Sequence, residues 1–130
     1  MNVDLKRTKR YYADVDNICS CDPCQNYYRA VRRACPELTA FLAEQGAAAD
    51  QPLEVLWYSE KKNSVTCSAL YVLCGTVEPG WTQPVDGAEL TEARHFPDAR
   101  AEAPFFVLNA GPFTLDWILE KPFEEAFPAP

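Results

Sequence analysis

Val65-Thr-Cys-Ser-Ala-Leu-Tyr-Val-Leu-Cys-Gly-Thr-Val77 is the stretch on which the fold turns. Ala69 to Cys74 inside it is the longest uninterrupted apolar run of the chain, and β-branched residues flank it. A short apolar run of this composition is the pattern of a buried strand, and it falls far below the roughly 20 residues that span a bilayer. Leu53-Glu-Val-Leu-Trp-Tyr-Ser59 has the same character, and the polar Glu60-Lys-Lys-Asn-Ser64 separates the two. Together they predict an antiparallel hairpin. Cys67 and Cys74 are an odd number of residues apart, so a regular strand turns them to opposite faces.

Upstream the period changes. Tyr27, Val31, Ala34, Leu38 and Phe41 recur at helical spacing, widened by Tyr28, Cys35 and Leu42, with Arg29, Arg32, Arg33, Glu37 and Glu44 on other faces. Asp22-Pro23-Cys24-Gln25 supplies an N-cap acid, a proline at the first helical position and a glutamine placed to close a capping box; Gly46 is the expected C-cap. The prediction is one helical segment over about 23–45, kinked or split near Pro36, because an internal proline removes a hydrogen bond and clashes with the preceding turn. Before it, Arg7 to Val15 reads as a first strand. Eight of the eleven prolines lie from Pro79 onward, which argues against long helices there. Ala88 to Phe96, Phe105-Phe-Val-Leu-Asn109 and Phe113-Thr-Leu-Asp-Trp-Ile-Leu119 are read as strands, the last two joined by Ala-Gly-Pro. Residues 120–130 read as an extended acidic tail. The expected class is α+β, a helical segment packed on an antiparallel sheet, in a single domain covering 1–130.

Composition bounds the function. The 130 residues are 48% apolar and 24% charged, ordinary for a globular domain. No apolar run follows the basic N-terminus as a secretory signal requires, so the expected location is cytoplasmic, with no membrane association. The net charge of −7 is unevenly placed. Residues 1–33 hold seven Lys/Arg against four Asp/Glu, and residues 34–130 hold five against fifteen. Such acidity excludes nucleic-acid binding through the general field, since phosphate neutralisation dominates that affinity. It suits a protein partner with a basic surface.

Six cysteines in a reducing compartment point to metal ligation, thiol chemistry or packing rather than to a disulfide scaffold. Three of them fall in Cys19-Ser-Cys21-Asp-Pro-Cys24, directly ahead of the helix. Cys19 and Cys21 point to one side of an extended segment, and Cys24 can turn back towards them from the first helical turn. Zinc takes four N/S ligands in a tetrahedron, so a site here needs one more, with Cys67 the first choice and Cys74, Cys35 or His95 the others. Cys21-Asp-Pro-Cys24 also has the form of a redox pair at a helix N-terminus, although Asp22 opposes thiolate formation and the βα alternation of thioredoxin-like folds is missing. Plain packing of small apolar thiols is the third reading.

Cys19-x-Cys21-x-x-Cys24-x-Asn26-Tyr27, a helix ending Leu42-x-x-x-Gly46 and an aromatic C-terminal strand pair resemble a group of small bacterial proteins without an assigned activity. The resemblance implies a bacterial or phage source and a stand-alone domain, and it carries no catalytic role.

No catalytic constellation accompanies these features. His95 is the sole histidine and has no nucleophile motif beside it. No glycine loop for phosphate is present. Trp81, after Pro79-Gly80, is the candidate anchor for a partner, because tryptophan is enriched at interface hot spots. Glu120, Glu124 and Glu125 are the candidate acidic contacts. The chain therefore reads as a non-enzymatic, acidic protein-binding domain of inhibitor or immunity type, with no cofactor or one structural zinc. The alternative is a thiol-redox or zinc-stabilised protein using Cys19, Cys21 and Cys24.

Overall fold

The computed structural model describes residues 1–128 and is an α+β fold. In chain order the elements are β1 (Asn2–Val3), α1 (Leu5–Asp14), α2 (Asp22–Ala34), α3 (Pro36–Glu44), β2 (Glu54–Lys61), β3 (Ser64–Thr76), β4 (Thr82–Val85), β5 (Ala88–Glu92), β6 (Phe105–Asp116) and α4 (Phe123–Ala126). The antiparallel sheet runs β1-β3-β6-β5-β4, and β2 pairs with β3 over Glu54↔Leu70 to Lys61↔Ser64. No helix among the described residues is long and apolar enough to cross a membrane.

Strand β3 is the centre. Cys67, Ala69, Tyr71 and Leu73 enter a core shared with Tyr27, Val31, Leu38 and Leu42 of the helices. Leu70 and Val72 face the other way, into a smaller cluster with Leu53, Ala99 and Val107. One edge of β3 is taken by β6 along nearly its whole length. On the other edge β2 stops at Leu70 and β1 begins at Gly75. Helix α1 fills that gap with hydroxyl groups. Tyr12 donates its hydroxyl to the Val72 carbonyl at 2.9 Å, and the Cys74 amide donates to Thr8 Oγ1 at 3.1 Å. The Asp4 amide reaches the Cys74 carbonyl at 2.8 Å. Side chains of a helix thus satisfy backbone groups that a strand would otherwise have to pair.

This is why residues 7–15 form a helix rather than the expected strand. Asp4 caps it by accepting from the Arg7 amide at 3.0 Å, and Thr8 and Tyr12, four apart, stack on the face turned to β3. Tyr11 and Arg7 then hold the irregular 93–104 segment over the smaller cluster. Tyr11 donates to the Ala99 carbonyl at 2.7 Å, and Arg7 to the carbonyls of Pro104 and Glu102 at 3.1 and 2.6 Å.

The helical segment splits where proline predicts. Cys35, with φ −126° and ψ 70°, ends α2 and precedes Pro36, the first residue of α3. The cap of α3 comes from far along the chain. Asp86 accepts from the Glu37 and Leu38 amides at 3.2 and 2.8 Å, and its own amide donates to Glu37 Oε1 at 2.6 Å. Asp86 and Gly87 have φ of 50° and 76°, the geometry of a two-residue hairpin turn between β4 and β5.

Two C-terminal expectations change. The segments expected as separate strands form one strand, β6, bulged at Gly111 and Pro112 opposite Ser68, between the pairs Cys67↔Phe113 and Ala69↔Ala110. Gly111 permits the bend, since at φ 136° an added Cβ would stand 2.8 Å from Ser68 Cβ. The tail is not extended throughout: α4 turns back so that Phe123 and Phe127 pack on Trp117, and Phe127 also meets Trp57 edge-on at 5.3 Å. Residues 129 and 130 lie outside the described residues.

Helix α2 is fixed by two buried polar contacts. The Tyr27 hydroxyl is hydrogen-bonded to that of Tyr71, which donates in turn to the Ala49 carbonyl at 2.6 Å. Tyr27 is therefore the donor of the pair. Asn26 donates to the Asp116 carbonyl at 3.0 Å and accepts from the Ile118 amide at 2.8 Å, spanning the end of β6. Asn26→Ala deletes both bonds and strands two backbone groups, so we expect a loss of about 2–3 kcal/mol in a urea titration. A midpoint within error of the parent would show that the clamp contributes nothing.

Candidate functional site

The turn between α1 and α2, residues 15–21, brings three thiols together. α1 ends at Val15, whose amide donates to the Tyr11 carbonyl at 2.9 Å. Both backbone groups of Cys19 are then held by side chains of α2. Its amide donates to the Tyr28 hydroxyl at 3.0 Å, and its carbonyl accepts from Gln25 Nε2 at 2.8 Å. Cys21 follows as the N-cap of α2, its carbonyl accepting the Gln25 amide at 3.0 Å.

That assignment corrects the expected helix start. Asp22 is not the cap but the first helical residue, and its carboxylate pairs with Lys121 at 2.8 Å. With Cys21 at the cap, the third helical position belongs to Cys24, so Gln25 is one residue too late to close a capping box. It reaches back to Cys19 instead.

The Sγ atoms of Cys19, Cys21 and Cys24 lie within 4.8 Å of one another. Sulfurs about 2.3 Å from a tetrahedral zinc lie about 3.8 Å apart, so small side-chain rotations would bring all three onto one ion. Cys19 and Cys21 are exposed, and Cys24 is buried. Their acidities diverge accordingly. Cys19 is held below the ordinary thiol value, first by the Cys21 amide directed at its sulfur at 3.5 Å and then by the neighbouring thiols. Cys24 is pushed well up, first by burial and then by the same neighbours. A metal ion takes cysteine as the thiolate, so binding here would release the Cys24 proton against that burial.

The fourth ligand expected from Cys67 is not in this group. Cys67 is buried in the core, and burial pushes its thiol to about 12, as it does that of Cys35. A neutral thiol packed among apolar side chains is a core residue. Cys74 is also buried, and His95 is exposed in the segment after β5.

Of the proposed partner contacts, Glu120, Glu124 and Glu125 are exposed around α4. The Asp22–Lys121 pair and the Asn26 clamp join that segment to the start of α2, so the acidic residues and the three thiols share one end of the molecule. Trp81 stands apart from that set, half-buried, its ring 6.0 Å from Phe41 of α3.

Asn26, Tyr28 and Lys121 shape the site, and sequence reasoning gave none of them a part in it. Asn26 left a trace: it is a polar residue in phase with the buried Ala30. Tyr28 was read only as part of the helix's apolar stripe, and Lys121 left no trace, because its partner is a surface carboxylate 99 residues away. Comparison with protein-family models, curated proteins and solved structures finds no match to this chain.

The thiol acidities order reactivity. In chelator-treated protein at neutral pH we expect iodoacetamide to modify Cys19 ahead of Cys24, with Cys35 and Cys67 unmodified until the protein unfolds. Time-resolved peptide mapping reads the order, and early labelling of Cys24 would contradict the geometry.

Proposed function

We propose that the protein is a non-enzymatic binding domain whose working end is built round one zinc ion held by the thiolates of Cys19, Cys21 and Cys24. The observation that carries this reading is the approach of three sulfurs to within 4.8 Å, on a turn whose backbone is hydrogen-bonded at both Cys19 groups. A turn held in this way keeps the three ligands near their bound positions, which reduces the ordering cost of coordination. Zinc suits the set because thiolates are soft ligands and tetrahedral sulfur sites favour it.

Thiol-redox chemistry is less well supported. A Cys-x-x-Cys enzyme exchanges disulfides through one pair of thiols, whereas here the Cys19 sulfur stands within 4.8 Å of both members of Cys21-Asp-Pro-Cys24 and makes the group a threefold one. The acidic character of the adjoining segment supports a partner with a basic surface, as inhibitors and immunity-type proteins require. In this reading zinc fixes the turn that stands beside the acidic residues, and the partner docks on both.

Elemental analysis of protein purified without chelator tests the proposal, with about one zinc per chain expected. At free zinc a hundredfold above Kd, binding contributes about 2.7 kcal/mol, enough to move Tm by several degrees. Chelation should lower Tm by that amount, Cys21→Ser should abolish zinc retention, and His95→Ala should leave it intact. Metal-free protein with a Tm indifferent to chelator and to added zinc would overturn the reading.

A further inference from the structure

We infer that the fourth coordination position belongs to a partner: a cysteine thiolate, carried on a lysine- or arginine-rich segment, completes the site in trans. The inference rests on the zinc reading of Cys19, Cys21 and Cys24. Among the described residues no fourth cysteine, histidine or carboxylate joins the three sulfurs. The one carboxylate built into the turn's own helix start, Asp22, is bonded to Lys121 at 2.8 Å. Three protein ligands and an open position make a site that accepts an incoming donor.

The surroundings select the donor's company. Cys19 and Cys21 are exposed, so an ion on them would stand at the surface. Three thiolates and a divalent ion leave a net charge of −1, and Glu120, Glu124 and Glu125 are exposed on the adjoining segment. Ile18 and Ile118 border the same end with 75% and 50% of their surface exposed, which is unusual for isoleucine and gives a docked chain apolar surface to cover. Beside Ile18 a hollow of about 260 Å³, lined by Val15, Tyr28 and Pro52 among others, has room for a side chain flanking the donor. A partner thiol would release its proton to solvent as its sulfur replaces water on the ion. A basic segment fits this end, and an acidic one is repelled.

Cobalt(II), a spectroscopic substitute for zinc, tests this with the full chain. The probes are a lysine-rich hexapeptide with one cysteine, the same peptide with serine, and a glutamate-rich hexapeptide with one cysteine. We expect cobalt alone to give the charge-transfer intensity of three thiolates. The lysine–cysteine peptide should raise it by about one third, as three sulfurs become four, and shift the visible bands. The serine peptide should change nothing, and the glutamate peptide should need about tenfold more. Glu124→Lys/Glu125→Lys should narrow that preference while leaving the cobalt-only spectrum unchanged. A four-sulfur spectrum without peptide, no response to either cysteine peptide, equal response to both, or two chains sharing one cobalt in sedimentation would each overturn the inference while leaving the metal site standing. Failure of cobalt to bind at all would remove the zinc reading and this inference with it.

Discussion

Strand β3 has neither a free face nor a free edge, and the rest of the molecule is arranged to make that possible. Its apolar run is buried on both sides, so two layers must cover it: the helices on one face and the 93–104 segment on the other. Its backbone groups must also be paired, because an orphaned buried amide or carbonyl costs about as much as several favourable contacts return. β6 supplies one edge. The other is divided among β2, the hydroxyls of α1 and β1, with no stretch of it left as a template for another chain.

The same strand sets the position of the cysteine turn. Tyr71 projects from β3 into the core and receives the Tyr27 hydroxyl, which fixes the depth of α2 over the sheet. Asn26, one residue earlier, fixes the register of α2 against the end of β6. With both in place the first turn of α2 cannot slide, and Tyr28 and Gln25 transmit that rigidity to Cys19. Asn26 and Tyr27 in Cys19-x-Cys21-x-x-Cys24-x-Asn26-Tyr27 are therefore the anchors that hold the thiol-bearing turn to the sheet.

Much of this was legible and some was not, for definable reasons. The hairpin of β2 and β3, the helix through Tyr27 and Val31, and its division at Pro36 follow from periodicity and from proline's missing amide, which act locally. Helix α1 was misread because Tyr11-Tyr12 and Val15 favour strand, while the deciding interaction, Thr8 and Tyr12 on the open edge of β3, joins residues 60 and 66 apart. The β4–β5 hairpin was not anticipated, although Asp86-Gly87 is a dipeptide suited to two successive positive φ values, and its second role as the cap of α3 has no local signature. At the site, spacing alone brought Cys19, Cys21 and Cys24 together. Cys67 was drawn in by a need for four ligands, and the period of β3 places it in the core instead.

Electrostatics explains why thiols and acids gather at one place. The start of α2 carries the positive end of the helix dipole, which favours anions within its first turn. Asp22 uses that field and brings in Lys121, and the Cys21 amide holds the Cys19 thiol below its ordinary pKa. Cys24 stands in the same first turn, but there burial and two neighbouring sulfurs outweigh the field and raise the thiol's pKa. Lys121 is a monovalent contact already bonded to Asp22, whereas a divalent ion among the three sulfurs would offset two of three thiolate charges. Such an ion on three thiolates would leave a net charge of −1, the same sign as the exposed Glu120, Glu124 and Glu125, so the metal reading and the basic-partner reading would meet on a single surface.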